Sequence, residues 1–72
     1  MKLDERIIRI YKARNRIRGY IMRSGVGEEY LYCTGKPSDT TCLCWIYGTL
    51  EEAERCAEDQ LSCWHNLSVA VL

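Results

Sequence analysis

Residues 41–64 constrain the fold most strongly, because they combine a short apolar strand, a glycine turn and an amphipathic helix. Thr49 follows Gly48 and is a suitable N-cap, since its hydroxyl can accept a hydrogen bond from a backbone amide of the first turn. Glu52 stands at the position that a capping box requires. The pattern predicts a helix that begins at Thr49 and ends at Asn66.

This helix is expected to cover one face of a sheet. Its apolar side chains recur at the helical period and form one stripe, with Cys56 and Cys63 beside it. The stripe consists of Leu50, Ala53, Ala57, Leu61 and Trp64. The small alanines allow the helix to approach a sheet closely, so the pattern predicts a mixed domain.

The remaining segments are predicted to be strands of one small domain that covers residues 1–72. Residues 29–34 and 41–47 flank a polar turn with glycine and proline and are expected to pair antiparallel. Residues 67–72 form the last strand, either in the middle of the sheet or beside the first strand.

Residues 3–24 allow two interpretations. The spacing of their isoleucines fits a basic amphipathic helix. Clustered β-branched residues and an internal glycine instead favour a hairpin with strands at 7–12 and 17–23. We favour the hairpin, because the downstream helix needs a sheet to cover. The predicted fold is α+β, with a four- or five-stranded antiparallel sheet and one helix on one face (β-β-β-β-α-β).

Side chains alternate between the two faces of a sheet, which divides the strand residues into two sets. The aliphatic and thiol set is expected to pack under the helix; it comprises Ile8, Ile10, Ile21, Leu31, Cys33, Cys42, Cys44, Ile46, Val69 and Val71. The aromatic and arginine set is expected to be partly exposed as an interaction surface. It comprises Arg9, Tyr11, Arg18, Tyr20, Met22, Tyr30, Tyr32, Leu43, Trp45 and Tyr47.

The formal net charge of zero conceals a strong asymmetry. Residues 1–24 carry eight Lys and Arg against two Asp and Glu, a net charge of +6, and residues 25–72 carry the compensating −6. Such a division concerns partners rather than the fold. On the helix, the acidic residues away from the packing stripe are expected to form a negative ridge of Glu51, Glu54, Glu58 and Asp59.

Five cysteines in so short a chain raise the question of disulfides and metals. The number is odd and no export signal is recognised, so reduced, buried thiols in a soluble cytoplasmic protein are expected. Cys42 and Cys44 would then fill the core. A zinc-stabilised module is an alternative, although the cysteines and His65 lack the paired spacing of zinc sites. No cofactor is expected, and no segment is long and apolar enough to span a membrane.

The sequence carries no pattern typical of an enzyme. Nucleophilic catalysis needs a base in reach of the nucleophile, and His65 is the only histidine. Gly25 and Gly27 lack the lysine of a phosphate-binding loop. Nucleic-acid binding is a better-motivated alternative, because arginines neutralise phosphates and aromatic rings stack on bases. Its candidate residues are Arg9, Tyr11, Arg14, Arg16, Arg18 and Tyr20.

The run Thr-Leu-Glu-Glu-Ala-Glu-Arg-Cys-Ala at 49–57, between two strands, resembles the strand–helix–strand half of many tiny phage and mobile-element proteins, small anti-CRISPR proteins among them. The resemblance implies a compact sheet, one helix, no catalytic site and charged surfaces that occlude nucleic-acid channels. The leading hypothesis is therefore a non-enzymatic inhibitor or regulator that blocks a host nucleic-acid-handling complex by protein–protein contact. A homodimer is also open. The predicted partner-binding residues are Arg9, Tyr11, Arg18, Tyr20, Tyr30, Tyr32, Trp45, Tyr47, Glu51, Glu54 and Glu58.

Overall fold

The computed structural model describes residues 5–25, 27–37 and 43–72. Within them the elements are β1 (Ile7–Ala13), β2 (Arg16–Arg23), β3 (Tyr30–Thr34), β4 (Cys44–Tyr47), α1 (Leu50–Gln60) and β5 (Ser68–Val71). The strands form one antiparallel sheet in the order β4-β3-β2-β1-β5. This confirms the predicted α+β fold, with the last strand beside the first. Cys42, predicted as a core residue, lies outside the described residues.

The first two strands form the hairpin that the sequence favoured over a helix. Ala13 pairs with Arg16, so the turn consists of Arg14 and Asn15 alone. Both have positive φ, 53° and 61°. That combination is typical of the type I′ turn, whose twist matches the twist of the flanking strands. Asparagine tolerates this conformation well and arginine less so, which explains why the sequence signal for the turn is weak.

Helix α1 begins as predicted and ends earlier than predicted. The Glu52 amide donates to the Thr49 hydroxyl at 3.1 Å, which confirms the N-cap. The helix ends at Gln60 rather than Asn66, and Leu61 caps it by donating its amide to the Ala57 carbonyl. Residues 62–65 are serine, cysteine, tryptophan and histidine, which are weaker helix formers than the alanine, leucine, glutamate and glutamine residues that make up most of the helix. Trp64 therefore follows the helix instead of lying on it.

The helix covers the aromatic face of the sheet, so the prediction that this face is partly exposed is wrong. Ala53 and Ala57 are fully buried against it. Because their methyl side chains are small, they leave room for tyrosine rings beneath the helix. The central core cluster consists of Ile8, Tyr11, Ile21, Tyr32, Ala53, Ala57 and Leu61.

The opposite face carries a second buried cluster, which holds part of the aliphatic set. Its buried members are Ile7, Ile10, Tyr20 and Cys33. Tyr20 pairs with Ile10 on one side and with Cys33 on the other, while Ile21 lies opposite Tyr32. The sequence interpretation had placed Tyr20 with Tyr32. A difference of one residue in strand register moves every side chain to the other face.

Cys33 and Cys44 form a disulfide on this second face, so the prediction of reduced thiols is wrong for this pair. The two residues are direct cross-strand partners, with Cα atoms 4.2 Å apart. The Thr34 amide donates to the Leu43 carbonyl, so the neighbouring Cys33–Cys44 pair is the closely spaced type without its own backbone hydrogen bonds. Cys44 also lies away from the helix. Among the described cysteines, Cys56 and Cys63 are free.

Candidate nucleic-acid interface

The structure separates the residues predicted to bind a partner. Three tyrosines are buried and cannot contact a partner on the surface of this fold: Tyr11, Tyr20 and Tyr32. The half-buried residues are Arg9, Arg18, Tyr30, Tyr47 and Glu54. The exposed residues are Trp45, Glu51 and Glu58. The predicted aromatic–arginine surface is therefore not one continuous exposed patch.

Two of these aromatic side chains make contacts within the fold, one inside the sheet and one between the sheet and the helix. The ring of Trp45 stacks on Tyr32 with centroids 5.8 Å apart. The Tyr47 hydroxyl donates a hydrogen bond to Sγ of Cys56 on the helix at 2.7 Å. This hydrogen bond, together with burial, raises the pKa of Tyr47. Tyr32 and Tyr47 therefore contribute to internal packing, whereas Trp45 covers Tyr32 and is itself exposed.

The helix has an exposed acidic surface, but the charge of Glu54 is paired and Glu54 is not counted in it. Glu54 Oε1 lies 3.2 Å from Nε of Arg9, so the two charges offset each other. A partly exposed pair of this kind contributes about 0–1 kcal/mol. We define the acidic helix surface as Glu51, Glu58 and Asp59, all of which are exposed.

The hairpin turn forms one wall of a groove at the end of the sheet. The β1–β2 turn and the chain after β3 lie at the same end, where the Gly35 amide donates to the Arg18 carbonyl at 3.0 Å. The groove has a volume of about 830 Å³. We call it the basic groove, and its lining residues are Asn15, Arg16, Ile17, Arg18, Gly35, Lys36 and Trp64.

Trp64 lies among the arginines of this groove. The guanidinium of Arg18 is 4.0 Å from the centroid of the Trp64 ring, and that of Arg14 is 5.9 Å away. Both distances fit cation–π contacts. Arg18 also donates from Nε to the Ala13 carbonyl at 3.2 Å, which fixes its position beside the turn. The groove therefore combines one positioned guanidinium, that of Arg18, with the half-buried Trp64.

The positive charge continues around the turn. A smaller depression of about 310 Å³ shares Asn15 with the basic groove, and Lys12 and Arg14 contribute to its wall. The cations Lys12, Arg14 and Arg16 of the hairpin are exposed. Charges of one sign gathered at a cleft raise the local concentration of oppositely charged ligands. This end of the sheet is suited to binding an anion.

Sequence reasoning identified the arginines of this site but not Lys36 or Trp64. Arg14, Arg16 and Arg18 were candidates for nucleic-acid binding, and the structure brings them together. Lys36 and Trp64 were missed, because one had been assigned to a turn and the other to the helix stripe. The antiparallel pairing of β2 with β3 was the available signal, since it places the chain after β3 beside the β1–β2 turn.

Across 5–25, 27–37 and 43–72, no group of three or more His, Cys, Asp or Glu side chains could hold a metal ion. Cys33 and Cys44 are bonded to each other, and a thiolate is the form that binds zinc. No helix in the described part of the chain is long and apolar enough to cross a bilayer.

The two buried tyrosines under the helix predict a loss of stability in alkali. Burial raises the pKa of both Tyr11 and Tyr32 to about 12, from an ordinary value of 10.0. Unfolded tyrosines therefore lose their protons at lower pH than these two do. The associated stability is intact below pH 10.0 and should be lost as the pH rises towards 12. Urea unfolding across this range measures it, and Tyr32→Phe should flatten the dependence.

Comparisons with known protein families, with curated proteins and with solved structures found no match for this chain. The resemblance to small phage and mobile-element proteins stays a prediction.

Proposed function

We propose that this protein is a non-enzymatic nucleic-acid-binding protein that holds single-stranded DNA or RNA in the basic groove. The observation that supports this most is the placement of Arg18 and Arg14 beside Trp64. Arg16, Arg18 and Lys36 line the groove with Trp64, and Arg14 lines the adjoining depression. Cationic side chains that follow a groove neutralise phosphates, and an aromatic ring in the same groove stacks on bases.

The choice of a single strand rests on Trp64. Trp64 lines the groove and is half-buried, so part of the residue is exposed there beside the Arg18 guanidinium. Bases of a duplex are already stacked on each other and reach such a ring only after unstacking. Stacking tolerates every base, because each has a π-face. We therefore expect binding with little sequence preference and with affinity that falls as salt is added.

Fluorescence anisotropy with a labelled single strand and the matching duplex, each at low and high salt, tests this function. We expect tighter binding to the single strand. Arg16→Glu should weaken binding roughly tenfold and reduce the salt dependence, because a phosphate contact is lost. Trp64→Ala should weaken single-strand binding while leaving the salt dependence close to that of the wild type.

Arg55→Glu is the matched control, since Arg55 is an exposed arginine on the helix, away from the groove. It makes the same change in net charge as Arg16→Glu. Equal losses in the two variants would mean that only overall charge matters. Absence of binding by the wild type at low salt would overturn the proposal.

The second candidate is the protein inhibitor of the anti-CRISPR kind, carried by a phage or mobile element, that blocks a nucleic-acid-handling host complex. The exposed acidic helix surface favours it, because Glu51, Glu58 and Asp59 offer a patch to a basic protein. This candidate no longer draws on the aromatic sheet face, because the helix covers that face.

The two candidates predict opposite charge-reversal results. Affinity capture from a prokaryotic lysate treated with nuclease should lose its specific partner in the Glu51→Lys/Glu58→Lys variant if the acidic helix surface binds it. Arg14→Glu/Arg16→Glu is the matched control in the basic region and should keep that partner. Capture that is the same with both variants would contradict the inhibitor hypothesis.

A cytoplasmic location remains part of the proposal, and the disulfide is the feature that opposes it. Bonds such as Cys33–Cys44 persist mainly in oxidising compartments. Mass spectrometry of protein alkylated at the moment of lysis distinguishes a cytoplasmic location from an oxidising compartment. In a cytoplasmic protein Cys33 should be reduced and therefore alkylated.

A further inference from the structure

Strand β5 forms one edge of the sheet and has features that permit pairing with another strand. Its four residues are all exposed, and no strand within the described residues pairs with its outer side. Val69 is 46% exposed and Val71 is 69% exposed. The strand is short, at four residues, but it contains no charge and no proline, two of the features by which natural edge strands commonly prevent pairing.

The hydrogen-bond pattern shows which backbone groups face outward. The Leu72 amide donates to the Ile8 carbonyl of β1 at 3.1 Å. Because the direction of hydrogen bonding alternates along an antiparallel strand, the N–H and C=O groups of Ser68 and Ala70 also face β1. The same groups of Val69 and Val71 therefore point to the free edge.

These outward groups are self-complementary. We propose that β5 pairs antiparallel with β5 of a second copy of this chain, about a two-fold axis that passes beside Ala70. Val69 of each copy then exchanges both backbone hydrogen bonds with Val71 of the other. Ala70 of the two copies lie opposite each other at the closely spaced type of pair, where a small side chain fits. The result is one continuous ten-stranded sheet.

The charges favour this antiparallel arrangement. The exposed cations Lys12, Arg14 and Arg16 lie at the end where β5 begins, since Lys12 pairs with Ser68. Antiparallel pairing places the two cationic ends far apart, while parallel pairing would bring them side by side. It also leaves both basic grooves open, because Trp64 and Lys36 are not on β5.

The test is sedimentation equilibrium from micromolar to millimolar protein without nucleic acid. It uses oxidised protein in a Cys63→Ser background, since Cys63 is an exposed free thiol that can link chains by itself. We expect a reversible monomer–dimer equilibrium. Val69→Pro removes an outward N–H without removing a bond to β1, and Val71→Lys adds a charge to the edge. Each should raise the dimer dissociation constant at least about tenfold.

Ile46→Lys is the matched control, because Ile46 is an exposed apolar residue of β4, the other edge strand. It should leave the dimer intact. Circular dichroism verifies that each variant is folded, and a mixed-label sample should give a nuclear Overhauser effect between the Ala70 Hα atoms of the two copies. A wild type that stays monomeric at millimolar concentration overturns the proposal. So does a dimer that Ile46→Lys dissociates and Val71→Lys does not.

Discussion

Replacing Tyr32 with alanine should lower the free energy of unfolding by about 3–5 kcal/mol, because Tyr32 is fully buried beneath the helix. A domain of this size is stabilised by roughly 4–11 kcal/mol in total, so the loss is a large part of the whole. Had the aromatic face been exposed, as the sequence suggested, the same change would cost about 0.5 kcal/mol or less. Urea unfolding followed by circular dichroism measures the difference.

Tyr32→Phe is the matched control and should have the opposite sign. The Tyr32 hydroxyl is buried and has no hydrogen-bond partner among the described residues. An unsatisfied buried hydroxyl costs about 1–3 kcal/mol, so its removal should stabilise the protein or leave it unchanged. If Tyr32→Ala unfolds the chain outright, Tyr32→Leu gives a measurable intermediate loss. A small effect of Tyr32→Ala would contradict the packing described above.

Reducing the Cys33–Cys44 disulfide should lower the free energy of unfolding by about 3 kcal/mol. The two cysteines are 11 residues apart in the sequence, and the bond restricts the unfolded chain by closing that loop. Urea unfolding with and without a phosphine reductant measures the change. Thiol counting by mass spectrometry establishes which cysteines are bonded in each sample.

The Cys33→Ala/Cys44→Ala variant provides the control for this experiment. It should be less stable than the oxidised wild type, and the reductant should have no further effect on it. A reductant that destabilises this variant equally would assign the effect to another pair of cysteines. Identical unfolding of the oxidised and reduced wild type would contradict a stabilising role for the bond.

The elements of this fold were predictable because their signals are local. Thr49 is followed by acidic residues and a stripe with helical spacing, so the start of α1 followed from capping chemistry alone. The hairpin had weaker local signals, the β-branched residues and the internal glycine, and was favoured mainly because the downstream helix needs a sheet to cover. The end of the helix was less certain, since Trp64 continues the apolar stripe although the helix ends before it.

The choice of face was not predictable by alternation alone. Two irregularities interrupt the pairing of β1 with β2, one between Ile7 and Arg9 and one between Tyr11 and Lys12. Each shifts the alternation for all residues beyond it. The sequence interpretation also assigned the more aliphatic face to the helix. In the structure, the face that the helix covers is set by the space that its side chains leave for large rings. The alanines of the helix accommodate the large ring of Tyr32.

The arginines of the candidate site were predictable from the sequence, but its other residues were not. The arginines of the first 24 residues were evident from the sequence, and three of them meet at the hairpin turn. Lys36 and Trp64 join them only through tertiary contacts between segments that are distant in the chain. Arg9 does not belong to the site, also because of a tertiary contact: the helix places Glu54 beside it.

Chemical-shift mapping with a single-stranded oligonucleotide tests the central claim most directly. A titration of ¹⁵N-labelled protein reports every backbone amide and the indole N–H of Trp64 at once. We predict that the largest shifts fall on residues 14–18, on Gly35 and Lys36, and on the Trp64 indole, with the helix amides nearly unchanged. Shifts concentrated on the acidic helix surface, or no shifts at low salt, would contradict the account.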